Sequence, residues 1–324
     1  MSFVTLSAAK SLVSAENKMT EAQDDARFAQ VAQQIEPGGT LLRAWPLHGG
    51  VSAQVTALEV AQADGGTRKL VVRRHGPVDL AHNPHIAADE FRLLHIVRAA
   101  GVPAPAPYYC DESGAIFPTP YLVVEYVAGA PEFAPADLPA FLQRFAAQLA
   151  WIHQVPGAQT DLAFLPRHAA RLDALLAARP AQLDDSLDEG PIRAALEAGW
   201  PLAPRNAPAL LHGDYWPGNL LWQDGRLAAV LDWEDARTGD PLADLGNSRM
   251  EILFAFGAAA LTEFTRQYQA LARLDYTDLP YWDLAAALLP AGKLAGWGLA
   301  PTVEARMRAR HRGFVAQAFA AIGG

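Results

Sequence analysis

The chain of 324 residues reads as an α+β protein of two lobes, strands first and helices after. Three observations predict this. Before Val127 the apolar residues fall in short β-rich runs bounded by turn residues. After it they recur three and four apart, the spacing of helices packed on a core. Between the two regimes, Tyr121-Leu122-Val123-Val124-Glu125-Tyr126-Val127 reads as a buried strand that Gly129 and Pro131 break. Strands gathered at one end and helices at the other argue α+β with a cleft between the lobes. The expected lobes are residues 19–127 and 128–324, joined by a hinge at about 125–129.

Each element has a local justification. Residues 1–18 lack the apolar core of a signal peptide and are expected to be a disordered, dispensable extension, with Met19 an alternative start. Residues 40–47 and 52–61 are strand-like and meet at His48-Gly49-Gly50-Val51, where glycines admit positive φ and let the backbone approach a ligand. Lys69-Leu70-Val71-Val72-Arg73-Arg74 is a third β-rich run, ending in cations. Residues 86–100 form a helix with Phe91, Leu94 and Val97 on one face and Gly101 as its stop. Val102-Pro103-Ala104-Pro105-Ala106-Pro107 forces an extended segment.

Beyond the hinge, Leu138, Phe141, Leu142, Phe145, Leu149 and Ile152 describe one apolar helical stripe ending near His153. Residues 167–176 and 192–198 are further helices. Ala209-Leu210-Leu211 leads into a polar loop, and Leu220-Leu221-Trp222 with residues 227–231 reads as a hairpin around Asp224-Gly225. Residues 242–256, 261–274, 284–294 and 303–321 are Ala- and Leu-rich and favour helix.

Composition narrows the function class. The 26 Lys+Arg against 35 Asp+Glu give a net charge of -9, which disfavours nonspecific nucleic-acid binding. A lone cysteine, Cys110, cannot make an internal disulfide, and the apolar run at residues 252–261 is too short to span a bilayer. The expectation is a cytoplasmic enzyme with neither nucleic acid nor membrane as partner. His82-x-x-His85 lacks a third ligand at metal-site spacing and reads as a loop.

The chemistry concentrates in His212-Gly213-Asp214-Tyr215-Trp216-Pro217-Gly218-Asn219 and in Leu231-Asp232-Trp233. Phosphoryl transfer needs a carboxylate to orient the attacking hydroxyl and oxygen ligands that hold Mg2+ against the phosphates. Asp214 suits the first task; Asn219 and Asp232 suit the second. Singly these are ordinary turn residues. Together they keep the Asp-x4-Asn interval of protein kinases, with a second Asp returned by one hairpin.

Those motifs, with the run from Asp232 through Trp233-Glu234-Asp235 to Gly239-Asp240-Pro241-Leu242-Ala243-Asp244-Leu245-Gly246, resemble the aminoglycoside phosphotransferase family of small-molecule kinases. The resemblance covers most of the chain from about Gly38. It implies a protein-kinase-like fold, with a small antiparallel-sheet lobe carrying one main helix and a larger, mostly helical lobe. It also implies transfer of the γ-phosphoryl group of ATP or GTP to a hydroxyl, with Mg2+.

By the same resemblance Asp214 is the catalytic base and Asn219 and Asp232 are the metal ligands. Gly49, Gly50 and Ser52 form the nucleotide-positioning loop, and Arg73 is the phosphate-binding cation, paired with Glu90. Glu125, Tyr126 and Val127 are the hinge, and His212, Asp240 and Asp244 are supports. Two departures stand out: the glycine loop lacks the full G-x-G-x-x-G, and Arg73 replaces the usual lysine. Since strand neighbours face opposite ways, either Arg73 or Arg74 is the inward cation.

The acceptor stays open. Glu234, Asp235 and Glu251 near the metal motif suit a polycationic aminoglycoside, charges within about 8 Å attracting at physiological salt. Relatives by resemblance also act on metabolic alcohols, sugars and hydroxyacyl compounds. A nucleotide-binding pseudokinase scaffold is the alternative of another class. A protein kinase is disfavoured, since Asp232-Trp233-Glu234 replaces Asp-Phe-Gly and no Ala-Pro-Glu follows.

Overall fold

The computed structural model describes residues 21–47, 53–155 and 162–323. The architecture is α+β, and the described residues form two compact units: those up to 99 together with 104–128, and 100–103 together with those from 129 onward.

The first unit runs α1 (Glu21–Ile35), β1 (Thr40–Pro46), β2 (Ala53–Ala61), β3 (Thr67–His75), α2 (Pro77–His82), α3 (Ile86–Ala99), β4 (Pro107–Asp111) and β5 (Tyr121–Glu125). Its sheet has the order β1-β2-β3-β5-β4, and each neighbouring pair is antiparallel. Strand alternation sends Leu70 and Val72 to one face, where they join Leu58, Val60, Tyr121 and Val123 and are capped by Phe28, Val31 and Ala32 of α1. The odd positions of β3 leave the other way. Helix α3 packs against β3, β4 and β5 with Leu93, Leu94 and Val97 buried, and Gly101 stops it at φ +83°. Helix α1 was not among the expected elements. Residues 1–18 and the glycine turn at 48–52 lie outside the described residues.

The second unit runs α4 (Leu138–His153), α5 (His168–Ala177), α6 (Glu189–Gly199), β6 (Ala209–Leu211), β7 (Leu220–Gln223), β8 (Arg226–Val230), β9 (Arg237–Gly239), α7 (Leu242–Phe256), α8 (Ala258–Leu271), α9 (Leu279–Ala287) and α10 (Pro301–Gly323). Asp137 caps α4 by accepting the Ala140 N–H at 3.0 Å, and the stripe from Phe141 to Ile152 is buried. The β7–β8 hairpin turns on Asp224 (φ 49°) and Gly225 (φ 70°). Two consecutive positive φ values are the type I′ geometry that Asp-Gly favours.

Helix α7 forms the centre of this unit and packs against α8, α9 and α10. It is buried nearly all round, which favours the pairing of its charged residues. Arg249, for example, grips Asp283 through Nε at 2.9 Å and Nη2 at 3.0 Å. Its span matches the expected one, and Gly257 (φ +93°) ends it. Helix α9 begins earlier than expected, because Leu279-Pro280 supplies a proline at its first turn. It ends at Ala287, ahead of Pro290 and the left-handed Gly292.

Candidate active site

The segment between β6 and β7 carries the first motif. A single 3-10 turn, Pro217–Asn219, closes it, with the Asn219 N–H donating to Trp216 O at 3.0 Å. That turn brings residue 219 back over residue 214, which is why the interval matters. The Asn219 amide Nδ2 donates both to the Asp214 carbonyl at 2.9 Å and to its carboxylate Oδ2 at 3.1 Å. Leu231 N–H in turn donates to Asn219 O at 2.8 Å. Asp232 therefore follows directly on a residue pinned to the loop, in a left-handed conformation with φ 64°.

His212 ties the same two segments from beneath. It is wholly buried, and its ring contacts Leu231 O through Nε2 at 2.9 Å and the Asp214 N–H through Nδ1 at 3.3 Å. A backbone N–H on Nδ1 and a carbonyl on Nε2 assign the proton to Nε2, the tautomer being inferred from its partners. Burial pushes the imidazole pKa down, so the ring is a neutral strut. Trp233 packs on it at a ring separation of 4.6 Å and gives its indole N–H to Val230 O.

Gly213 is the corner. Its φ is +84°, and a Cβ there would sit 2.0 Å from the Asp235 carbonyl oxygen. Only glycine fits.

Asp244, in the first turn of α7 and 2% exposed, holds this corner from below. Its Oδ2 accepts the His212 N–H at 2.6 Å and its Oδ1 the Gly213 N–H at 2.9 Å. His153, at the end of α4, adds Nε2 at 3.3 Å to Oδ2, and Tyr268 of α8 hydrogen-bonds His153 Nδ1 at 2.5 Å. Burial alone would raise the Asp244 carboxyl, yet the His153 contact and the loop N–H groups outweigh it and hold it below the usual range. His153 was not among the expected residues; its only trace in the sequence is its place at the end of the α4 stripe. Asp240 accepts from Asn206 Nδ2 at 3.2 Å and from the Leu242 N–H at 2.9 Å, and burial pushes its pKa up.

In the first unit the two arginines of β3 part company. Arg73 Nε lies 3.2 Å from Glu90 Oε2, which also receives His75 Nε2 at 3.1 Å. Arg74 turns to the α1 face, where it meets Asp24 at 3.0 Å and lies over the Phe117 ring. Glu125 accepts the Ala106 N–H at 3.1 Å, the Tyr126 N–H reaches Lys69 O at 3.4 Å, and the Tyr126 ring packs against Trp45. Val127 follows with no regular structure. Gly49, Gly50 and Ser52 lie outside the described residues.

The donor set fits a hard divalent cation. Asn219 spends its N–H groups on Asp214, which leaves its carbonyl oxygen as an acceptor, and with the Asp232 carboxylate it makes an all-oxygen pair of the kind that suits Mg2+.

The acidic residues read beside the motif are not all free to attract a cation. Asp235 Oδ1 is shared by Arg171 Nη1 at 2.9 Å and Arg237 Nη2 at 3.2 Å. No local pattern announces the pairing with Arg171, which lies 64 positions away on α5.

His168, which opens α5 and packs on Trp282 at a ring separation of 5.5 Å, yields a pH prediction. Burial pushes its pKa down from 6.5 to about 4. The unfolded chain therefore binds the extra proton between those values, and its contribution to stability is complete above pH 6.5 and lost as pH falls toward 4. Urea melts at pH 7.5 and 5 should show a smaller loss of stability for His168→Gln than for the parent chain. Parallel losses would refute the assignment.

Comparison with known proteins decides the family. Residues 45–288 match the profile described as "Phosphotransferase enzyme family". The chain belongs to the phosphotransferase enzyme family. Among solved structures, this phosphotransferase resembles a Ralstonia eutropha protein described as an aminoglycoside phosphotransferase, with TM-score 0.65 and 18% identity over 92% of this chain and 98% of that one. It also resembles the GDP and kanamycin complex of APH(2")-IIia, with TM-score 0.63 and 17% identity over 90% of this chain and 95% of that one. At such identities the likeness establishes the fold, which is protein-kinase-like.

Among curated sequences, Acyl-CoA dehydrogenase family member 11 of Rattus norvegicus is 26% identical over 198 residues, covering 56% of this chain. The match spans 25% of that relative's own length. No described helix of the phosphotransferase is long and apolar enough to cross a membrane.

Proposed function

We propose that this phosphotransferase moves the γ-phosphoryl group of ATP or GTP onto the hydroxyl of a small molecule. Asp214 orients that hydroxyl and takes its proton as the new oxygen–phosphorus bond forms and the nucleoside diphosphate leaves. The observation that supports the reading is the Asn219 amide fixed on both the carbonyl and the carboxylate of Asp214, with Asp232 the residue after Leu231, whose N–H is bonded to the Asn219 carbonyl. Asn219 and Asp232 would hold Mg2+, which when bound neutralises phosphate charge. The protein's share is positioning: a carboxylate held by its neighbours keeps one orientation, and such alignment supplies much of the rate in this chemistry.

Arg73, braced by Glu90, is the proposed phosphate contact of the first unit, and residues 125–127 the proposed base-holding segment. Proton transfer to Asp214 can come late in a loose transition state. A scaffold without activity would have no use for the intact Asp214, Asn219 and Asp232.

The relatives named Acyl-CoA dehydrogenase family members favour a metabolic alcohol over an antibiotic, as does the engagement of Asp235 by two arginines. A screen of aminoglycosides, macrolides and small alcohols with ATP and GTP, with and without Mg2+, tests the reading. The expected result is acceptor-dependent release of nucleoside diphosphate that chelation abolishes, with the phosphorylated alcohol seen by mass. Binding of nucleotide without phosphorylation of any alcohol in the panel would overturn it.

A further inference from the structure

Beside the Gly213 corner lies a cavity of about 30 Å³ lined by His168, Arg171, Gly213, Asp244, Asn247 and Trp282, among others. It exceeds the roughly 10–15 Å³ that one water needs. Its polar lining is rich in donors. Arg171, of that lining, shares a single carboxylate oxygen of Asp235 with Arg237. Asp235 cannot satisfy both forks, and the two guanidiniums repel each other.

Asp244, the carboxylate of the lining, is ionised and balances the charge of Arg171, but it offers those donors no free oxygen. Asp244 spends Oδ1 on Gly213 and Oδ2 on His212 and His153. Trp282 is 5% exposed, and its indole N–H has no hydrogen-bond partner among the described residues. The same holds for Nδ1 of His168, whose ring is neutral above a pKa of about 4. An indole nitrogen can only donate. Buried donors without acceptors are uncommon in native proteins, and each asks for an explanation.

We propose that this cavity receives an anionic group of the acceptor substrate, a carboxylate or a phosphate, with Arg171 as its principal contact. The proposal rests on the phosphotransferase reading and narrows it, since the acceptor would be an alcohol bearing a negative charge. Several features favour an anion over a neutral polar group. A guanidinium fork matches the paired oxygens of a carboxylate or phosphate. Arg171 keeps about a third of its side chain exposed, whereas Arg237 is more deeply set and holds Asp235. The cavity wall includes Gly213, the residue before Asp214, so an anion held there would place the rest of the acceptor near the catalytic carboxylate.

The test uses the full chain and matched alcohols of equal length ending in a carboxylate, a phosphate, a neutral hydroxymethyl or an ammonium group. The anionic acceptors should show the highest kcat/KM. Arg171→Ala should lower the ratio of kcat/KM for anionic over neutral acceptor at least about tenfold, chiefly through KM, and Arg171→Lys should recover part of it. Loss of the Asp235 ion pair alone would depress all acceptors alike and leave the ratio unchanged, which overturns the proposal, as does a preference for neutral or ammonium acceptors.

Calorimetric titration of the same hydroxy carboxylate or phosphate into the nucleotide-free protein adds a readout that needs no turnover. Binding that weakens at least about tenfold in Arg171→Ala supports the anion site even where phosphorylation fails and only the phosphotransferase reading falls. Binding indifferent to Arg171, or absent for both probes, sinks the anion site while leaving that reading intact.

Discussion

Asp214→Asn is expected to bind nucleotide as the parent chain does and to lose turnover by at least about a hundredfold, the lower end of general-base effects. The substitution keeps the shape of the side chain, and its amide oxygen can still accept from Asn219, so the loop should hold. What disappears is the negative charge that orients the hydroxyl and receives its proton. Equilibrium titration with a nucleotide analogue, set beside steady-state release of nucleoside diphosphate, separates the two effects. Turnover within a few fold of the parent chain would remove Asp214 from the mechanism.

Asp244→Ala is the second large effect, and it should act on folding before chemistry. It deletes a buried carboxylate that accepts the His212 and Gly213 N–H groups and faces His153. Two backbone donors and an imidazole would be left without their acceptor. Breaking a buried, charge-assisted set in this way costs about 3–5 kcal/mol, a large share of the roughly 5–15 kcal/mol that holds a domain together. Asp244→Asn, with one acceptor oxygen in place of two, should fall between. Urea unfolding followed by tryptophan emission reads the cost, and a midpoint shift worth less than about 1 kcal/mol would show that the loop is anchored elsewhere.

Much of this was legible in the residues. Helix α7 was readable to its ends because a continuous helix-favouring run stops at a glycine. The β7–β8 hairpin was readable because Asp-Gly names its turn. The meeting of Asn219 with Asp214 followed from a short interval closed by Pro217 and Gly218.

What escaped depends on distance or on weak local signal. Strand β4 follows two prolines, begins on a third and is defined by its pairing with β5, which no local pattern announces. Helix α1 did leave a trace, Phe28, Val31, Ala32 and Ile35 at helical spacing, but its long polar face dilutes the stripe. The start of α9 was misplaced because a run rich in alanine and leucine has no sharp edge, and Pro280 set it.

At the site, the choice between Arg73 and Arg74 could not be made from adjacency alone; it took the partner helices on the two faces of the sheet. Asp235 looked like a free acid because its partners belong to α5 and β9. His153 carries no motif, and its role emerges only where the end of α4 meets the start of α7.

The link from Asp244 through His153 to Tyr268 has a consequence for how this protein can change. The corner beside Asp214 is held by buried groups of the protein itself, so its shape depends on how helices pack. Helices α4, α7 and α8 hold it there. Substitutions deep among those helices, remote from anything a substrate touches, can therefore tune turnover during evolution or under selection in the laboratory, and variants with altered speed are best sought in that interior.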